Sequence, residues 1–330
     1  LVLARLLVKK NDGLKNLKWY FCSQLRIMYN IILIFVCLLL GVLLQKVKHL
    51  PVNLHKKLNY IVIYFCLPSL ALFYIPKIEL DTKLLYPIGV TWIGFITAIL
   101  FFSLLGAKLK WSRKLTGCMI MTAGFSNTSF LGFPIIQALY GNEGLKMAIL
   151  VDQPGTFVVL STLGIFIATL YSTGHPDVFQ IIKKILFFPP FIAFLLACFM
   201  NVFHFDFHEY IQFSLQKAGS VMTPLAMLSV GLQLQFDRKS KHFKFLGLGL
   251  VYKLIMTPAL IYLLYVVIMK QHSQMIQVSV IEAAMAPMIS SSIIASSYGL
   301  KPRLCSMMIG FGIPLSFITL VFWYFIANSI

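Results

Sequence analysis

Apolar residues run along this chain in long blocks separated by short polar connections. Each block has the roughly 20 residues that a helix rising about 1.5 Å per residue needs to cross a bilayer. The pattern predicts ten spanning helices near 28–45, 58–76, 85–107, 115–139, 145–170, 180–203, 211–235, 245–269, 274–298 and 304–328, with no room between them for a soluble domain. The fourth block departs from the rest at Gly124-Phe125-Ser126-Asn127-Thr128-Ser129-Phe130-Leu131-Gly132-Phe133-Pro134. Two glycines, a proline and four small polar residues in a row compete with the helical hydrogen-bond ladder, so a break is expected there. Backbone groups freed at membrane depth cost several kcal/mol each unless something satisfies them, which makes a break the mark of a lined cavity. The alternative is a kinked structural helix whose Ser and Thr bond back to their own backbone.

The second half of the chain carries a similar interruption between Gln277 and Tyr298, where Ala283-Ala284-Met285-Ala286-Pro287-Met288 precedes Ser290-Ser291-Ser292. Both apolar runs end in the same dipeptide, Tyr140-Gly141 and Tyr298-Gly299. Pro68-Ser69-Leu70-Ala71-Leu72 is echoed by Pro224-Leu225-Ala226-Met227-Leu228, and each proline is followed 13 residues later by an aspartate, Asp81 and Asp237. Echoes at a steady offset predict two copies of one five-helix unit, 28–172 and 178–328. Interrupted segments at matching positions of two halves point to a transporter's binding site.

Composition gives the class. With 59% of its 330 residues apolar and 12% charged, the chain reads as an all-α polytopic membrane protein. The net charge of +18 does not indicate nucleic-acid binding, because the basic residues sit at the connections. Those after spans one, three, five, seven and nine, with the adjoining span ends, hold 16 Lys and Arg against 5 in the other set. The first set is expected to face the cytoplasm, leaving both ends of the ten-helix unit outside a cytoplasmic membrane. An odd number of spans per half then makes the repeats inverted.

Residues 1–27 fit this orientation poorly, carrying six basic side chains on the outside. Native translation is expected to start at Met28; the alternative is an interfacial helix anchored by Trp19, Tyr20 and Phe21. The six cysteines are scattered and read as buried small hydrophobes, so no metal site or disulfide framework is expected. His204 and His208 have i, i+4 spacing, a weak metal pattern that reads better as a solvated loop. No Walker loop, Gly-x-Ser-x-Gly or paired catalytic carboxylates occur. The chain is therefore expected to be no enzyme, to need no cofactor, and to draw energy from an ion gradient.

Span one and span three, the latter with Trp92 and several Phe, read as scaffold, span three facing lipid. Pro68 and Pro224 read as kinks toward the bundle interior. Asp152, Glu282 and Lys253 lie inside apolar runs, where an ionisable group costs at least ~2.5 kcal/mol and is paired, faces a cavity, or is functional. One reading makes Asp152 and Glu282 proton carriers and Lys253 a counter-charge; the other makes Lys253 the structural partner of one carboxylate.

On these residues the chain resembles the auxin efflux carrier family, in its short-loop bacterial form, over nearly all of 28–328. Asn127-Thr128-x-x-x-Gly132-x-Pro134 followed by Tyr140-Gly141 is similar to that family's fourth-span motif. Leu225-Ala226-Met227-Leu228-Ser229-Val230-Gly231-Leu232 is similar to its seventh, and Lys253 with Pro258 to its eighth. Span nine departs, placing Ala286 between Met285 and Pro287 where the family has Met-Pro, and the long central loop of the plant carriers is absent. The resemblance implies a ten-helix fold in which broken helices four and nine cross at the substrate site, and small organic anions as cargo. Half-helix N-termini meeting at a crossing favour a carboxylate. The expected site is Gly124, Ser126, Asn127, Thr128 and Ser129 with Ala286, Pro287, Ser290 and Ser291.

The function expected is a secondary active transporter moving mono- or dicarboxylates by alternating access. The coupling ion, proton or sodium, and homodimerisation are left open. The alternatives are a sodium-coupled symporter of the bile-acid type and a passive channel.

Overall fold

The computed structural model describes residues 28–47, 50–51, 53–79, 81–172, 179, 187–234 and 242–330; the basic segment 1–27 and Asp237 lie outside them. The described chain is helical throughout, without strands beyond a single bridge between Ser126 and Pro287. In order the helices are α1 (Met28–Leu44), α2 (Leu54–Lys77), α3 (Thr82–Lys108), α4 (Arg113–Gly124), α5 (Thr128–Tyr171), α6 (Pro189–Val202), α7 (Glu209–Ser220), α8 (Met222–Gln233), α9 (Phe243–Ile268), α10 (Gln274–Ala283), α11 (Ile289–Ser297) and α12 (Pro302–Asn328). Five of these, α2, α3, α5, α9 and α12, are long and apolar enough to cross a membrane, while α1 and α6 are shorter apolar helices.

As a straight rod the 44 residues of α5 would reach about 66 Å, twice the thickness of a bilayer core. Gly141 prevents this. At φ 66°, ψ −156° it bends the chain into arms 128–140 and 142–171. Gly299, at φ 72°, follows α11 in the same half of conformational space. No atom lies within 4 Å of where either Cβ would stand, so the backbone angle and not crowding demands glycine at the two Tyr-Gly pairs.

Prolines shape the long helices in a regular way. Wide π-helical turns at Val62–Cys66, Thr128–Gly132 and Tyr252–Met256 each end two residues before a proline, Pro68, Pro134 and Pro258, and a fourth at Val151–Phe157 encloses Pro154. Proline cannot donate to the ladder and its ring crowds the carbonyl four residues back, so the turn before it opens. At Pro258 that freed carbonyl belongs to Leu254, and the Trp323 indole of α12 donates to it at 2.9 Å.

Helix ends are capped across the molecule. Gln45, just past α1, donates to Gly231 O (2.7 Å) and Leu234 O (2.9 Å) at the end of α8. Asn201 of α6 donates to Ile75 O and Ile78 O, both at 2.7 Å, at the end of α2. These amides add a donor at carbonyls of the last turns, where helical bonding runs out; Gly231 O and Ile75 O also accept from Leu234 N–H and Ile78 N–H. Asp81 similarly caps the turn entering α3, its carboxylate accepting from Lys83 N–H and Thr82 Oγ1 and so held below the usual carboxylate range.

Where α1 meets α8 the backbones touch. A Cβ on Gly41 would fall 2.3 Å from Leu228 O, and one on Gly231 would fall 2.2 Å from Leu38 O. Backbone atoms cannot move aside as a side chain can. Gly231→Leu is therefore expected to pry the pair apart and cost about 3 kcal/mol, the upper end of overpacking effects. Thermal melting of purified protein in detergent measures this, with Gly247→Ala as the neutral control, since nothing lies within 4 Å of the Gly247 position.

The buried apolar residues form two clusters, and the long helices feed both. Along α3, Val90 belongs to one and Phe95, Ala98 and Phe102 to the other; along α9, Ile261 and Tyr265 belong to the first and Leu246, Leu250 and Leu254 to the second. Buried polar residues fall in sequence where the clusters change over: Ser126 to Ser129, then Asp152, Gln153 and Thr156, then Thr257. Span three is thus two-faced and not simply lipid-facing. Ile96, Leu100 and Leu104 are exposed, while Phe95 packs on Gly124 and meets the Phe125 ring, tilted by 33°, at 4.2 Å between centroids.

Candidate functional site

The helical backbone stops at Gly124 and resumes at Thr128, with Phe125 extended (φ −112°, ψ 136°) and Asn127 at φ −82°, ψ 70°. It stops again after Ala283 and resumes at Ile289. The two unwound stretches lie side by side and satisfy each other. Asn127 N–H donates to Ala286 O at 2.9 Å, Met288 N–H donates to Phe125 O at 3.1 Å, and Ser126 bridges Pro287. Gly124, Ser126, Asn127, Thr128 and Ser129 thereby meet Ala286 and Pro287, all of them buried. The crowding of Gly124 against Phe95 explains the glycine, since a Cβ would sit 2.7 Å from that ring.

Asp152 faces the start of α5 from the second arm of the same helix. Its Oδ1 accepts from Thr128 Oγ1 at 2.6 Å and from Ser129 Oγ, and its Oδ2 accepts from Gln153 Nε2 at 2.9 Å. Thr128 Oγ1 also lies 3.1 Å from Thr156 Oγ1, which is 2.8 Å from Thr91 Oγ1. The hydroxyl protons of Thr128 and Ser129 are therefore committed to the carboxylate. Ser291 is committed too, donating to Met288 O at 3.0 Å, and Ser290 is only partly buried.

Lys253 is completely buried, and its ammonium donates to Ser126 Oγ at 2.6 Å and to Ala283 O at 2.7 Å. Its partners are the unwound stretch after α4 and the terminal carbonyl of α10, a helix end that attracts cations. No carboxylate of the described residues lies within 4.0 Å of the ammonium; the ion pairs among those residues, Lys77–Asp206 and Lys146–Glu143, are elsewhere. Glu282, also completely buried, presses against Gly132, where a Cβ would fall 2.4 Å from Oε2.

Buried polar atoms without a hydrogen-bond partner are rare in folded proteins, and here they gather on this layer. They are Asn127 Nδ2, Gln153 Oε1, Ser292 Oγ and both oxygens of Glu282; Tyr140 OH is the other one among the described residues. The expected site did not include Gln153, Thr156 or Ser292, although Gln153 adjoins Asp152, Thr156 lies four residues on, and Ser292 ends the serine run that marked the second interruption. From the edge, a cavity of about 380 Å³ lined by Asn30, Gln137, Asn142, Ser220 and Thr223 reaches in to Pro134. Among the described residues, no group of three or more His, Cys, Asp or Glu is gathered closely enough to hold a metal ion.

Residues 26–324 match a family described as membrane transport protein. The chain belongs to this family. That places it among the auxin efflux carriers, as the motifs in spans four, seven and eight imply. An uncharacterized transporter of Methanocaldococcus jannaschii is 26% identical over 303 residues, covering 89% of this chain and 97% of the relative. Another, from Methanothermobacter thermautotrophicus, is 27% identical over 308 residues, covering 89% and 96%. Both relatives are archaeal. Family membership and the apolar helices make this an integral membrane protein of the transporter class, a class that in general is not enzymatic.

Proposed function

We propose that the protein is a secondary carrier of small organic anions, mono- or dicarboxylates, working by alternating access. In this reading ten spans form two inverted five-helix repeats, 28–172 and 178–328, with both ends of the unit outside. Span four comprises α4 and the first arm of α5, and span nine comprises α10 and α11. Reciprocal capping supports the repeat: span one caps span seven through Gln45, and span six caps span two through Asn201. The matching left-handed glycines that close spans four and nine support it further.

The observation that carries the reading is Asn127. Its backbone is pinned to Ala286 at the meeting point, while its side-chain Nδ2 is buried with no partner. An orphaned donor in a dry layer gains most from an anionic acceptor. Gly124, Ser126, Thr128, Ser129, Ala286, Pro287, Ser290 and Ser291 frame it, and the Ser292 hydroxyl adds a second unpartnered donor. The cavity at Gln137 and Asn142 supplies an approach from the side assigned to the outside.

Burial of the meeting point favours a carrier over a passive channel, which needs a continuous wet path. The sodium-coupled reading is weakened because Lys253 already occupies the carbonyl and hydroxyl that a cation at this seam would use. Counterflow of radiolabelled acetate, lactate, pyruvate and benzoate in proteoliposomes, with and without proton and sodium gradients, tests the proposal. Asn127→Ala is expected to abolish counterflow while leaving folded protein in the membrane. Wild-type counterflow by that variant would remove Asn127 from the site.

A further inference from the structure

Among the described residues three side chains of the carboxylate or ammonium kind are completely or almost completely buried, and they belong to one layer: Asp152, Lys253 and Glu282. Two of them are provided for. Asp152 accepts three hydrogen bonds, and Lys253 donates two. Glu282 has none on either oxygen. The backbone nearest to it offers no help, because Gly132 N–H is already spent on Asn127 O at 3.0 Å. An ionised carboxylate in such a seat lacks the donors that make burial of charge tolerable. A neutral carboxyl fits it.

Resting on the carrier reading above, we propose that Glu282 is the protein's proton-binding site, and that a proton there and a carboxylate ligand at the seam bind cooperatively. Charge counting supplies the coupling. The charged groups that act on Glu282 are Asp152, from the second arm of α5, and Lys253, from α9; α3 and α12, also packed on α10, bring no buried Asp, Glu, Lys, Arg or His. With a monocarboxylate bound, ionised Asp152, ionised Glu282 and the ligand would place three negative charges around one ammonium. Protonating Glu282 removes one of them. Linkage then requires that ligand binding favour the proton and the proton favour the ligand equally.

The position of Glu282 turns this into transport. It sits on the span-nine half of the seam and lies against the glycine of the span-four half, so the neutral form keeps the two halves in dry contact. A charged form draws water in and parts them. No covalent bond changes: the proton enters Glu282 from the solution on one side and leaves to the other. A monocarboxylate carried with one proton moves no net charge, so uptake follows the pH gradient and not the voltage.

The experiment uses purified full-length protein and whichever monocarboxylate of the four-member panel exchanges fastest. Across the neutral range such ligands stay fully ionised, so any pH dependence of their affinity comes from the protein. Wild-type Kd is expected to tighten as pH falls, approaching tenfold per pH unit, the slope of one linked proton. Glu282→Gln is expected to bind with the tight, low-pH affinity at every pH and to lose accumulation driven by a pH gradient. Asp152→Asn is expected to bind more weakly but to keep the slope. A flat wild-type pH response with intact counterflow overturns the inference and leaves the carrier reading standing. A flat wild-type response overturns the inference even if Glu282→Gln does not fold; in that case Glu282→Asp, which keeps a carboxyl on a shorter side chain, is expected to shift the midpoint of the slope, and an unshifted midpoint overturns the assignment to Glu282. A slope that survives in Glu282→Gln overturns the inference as well. Absence of counterflow for every member of the panel removes both readings.

Discussion

Lys253→Met is expected to abolish substrate exchange and to destabilise the purified protein by about 3–5 kcal/mol, the cost of leaving buried charge without its partner. The side chains are of similar length, so the loss is one of charge and hydrogen bonds, not of packing. Without the ammonium, Ala283 O at the end of α10 and Ser126 Oγ lose their donor, and the two stretches held together by it are joined only through Asn127, Met288 and the weak 3.4 Å contact of Ser126 Oγ with Ala283 O. Asp152 and Glu282 meanwhile lose the one buried cation among the described residues. Lys253→Arg is expected to fail nearly as badly, since a planar guanidinium does not fit a fully enclosed seat shaped for a compact ammonium. Melting of Lys253→Met against Lys253→Met/Glu282→Gln separates the causes. If electrostatic repulsion is part of the loss, the second substitution restores roughly 1–3 kcal/mol of it, as coupled neighbours do. No restoration would mean that the lost hydrogen bonds account for all of it.

The residue pattern located this layer because the chemistry that builds it is local. Gly124, the run Ser126 to Ser129 and Pro134 are poor helix formers in a row, and the helix stops and restarts among them. Pro287 marks the second stretch for the same reason. Asp152, Lys253 and Glu282 were visible as ionisable residues in apolar surroundings. Their partners were not, because most lie on other helical segments: Lys253 reaches Ser126 across 127 residues, and Asp152 reaches Thr128 across 24. The pattern offered a carboxylate as the natural mate for Lys253, whereas the helix end at Ala283 supplies the acceptor. It also set Thr128 and Ser129 down as donors for the ligand, before Asp152 was seen to take their protons.

Packing between helices was the least legible part. In a membrane protein the lipid side and the buried side are both apolar, so hydrophobicity alone does not tell one face from the other. Span three shows the consequence. Its phenylalanines suggested lipid contact, yet Phe95 and Phe102 are fully enclosed. Small residues carry more information there than large ones. Gly41 and Gly231 mark the closest approach of α1 and α8, but only two glycines facing each other reveal it, and they lie 190 residues apart.

Asp152→Ala is expected to lower transport on the order of 10²–10³-fold with folded protein retained. The carboxylate lies beside a site proposed for an anion, which makes direct binding the wrong role for it. Its role is to position. By accepting from Thr128, Ser129 and Gln153 it ties the first turn of α5 to the second arm of that helix and so fixes Asn127, the residue just before that turn. Hydrogen bonds to a charged group contribute about 1.5–3 kcal/mol each, so two lost at the first turn suffice for the expected drop. Thr128 retains Thr156 as a partner, which limits the structural damage and predicts a smaller loss, about tenfold, for Thr128→Val or Ser129→Ala alone. A positioning role predicts that Asp152→Ala weakens binding of every carboxylate in the panel by a similar factor, since the misplaced donor is common to all. Were the aspartate instead reading the ligand itself, the factor would vary with the ligand's second substituent, and the ranking within the panel would change.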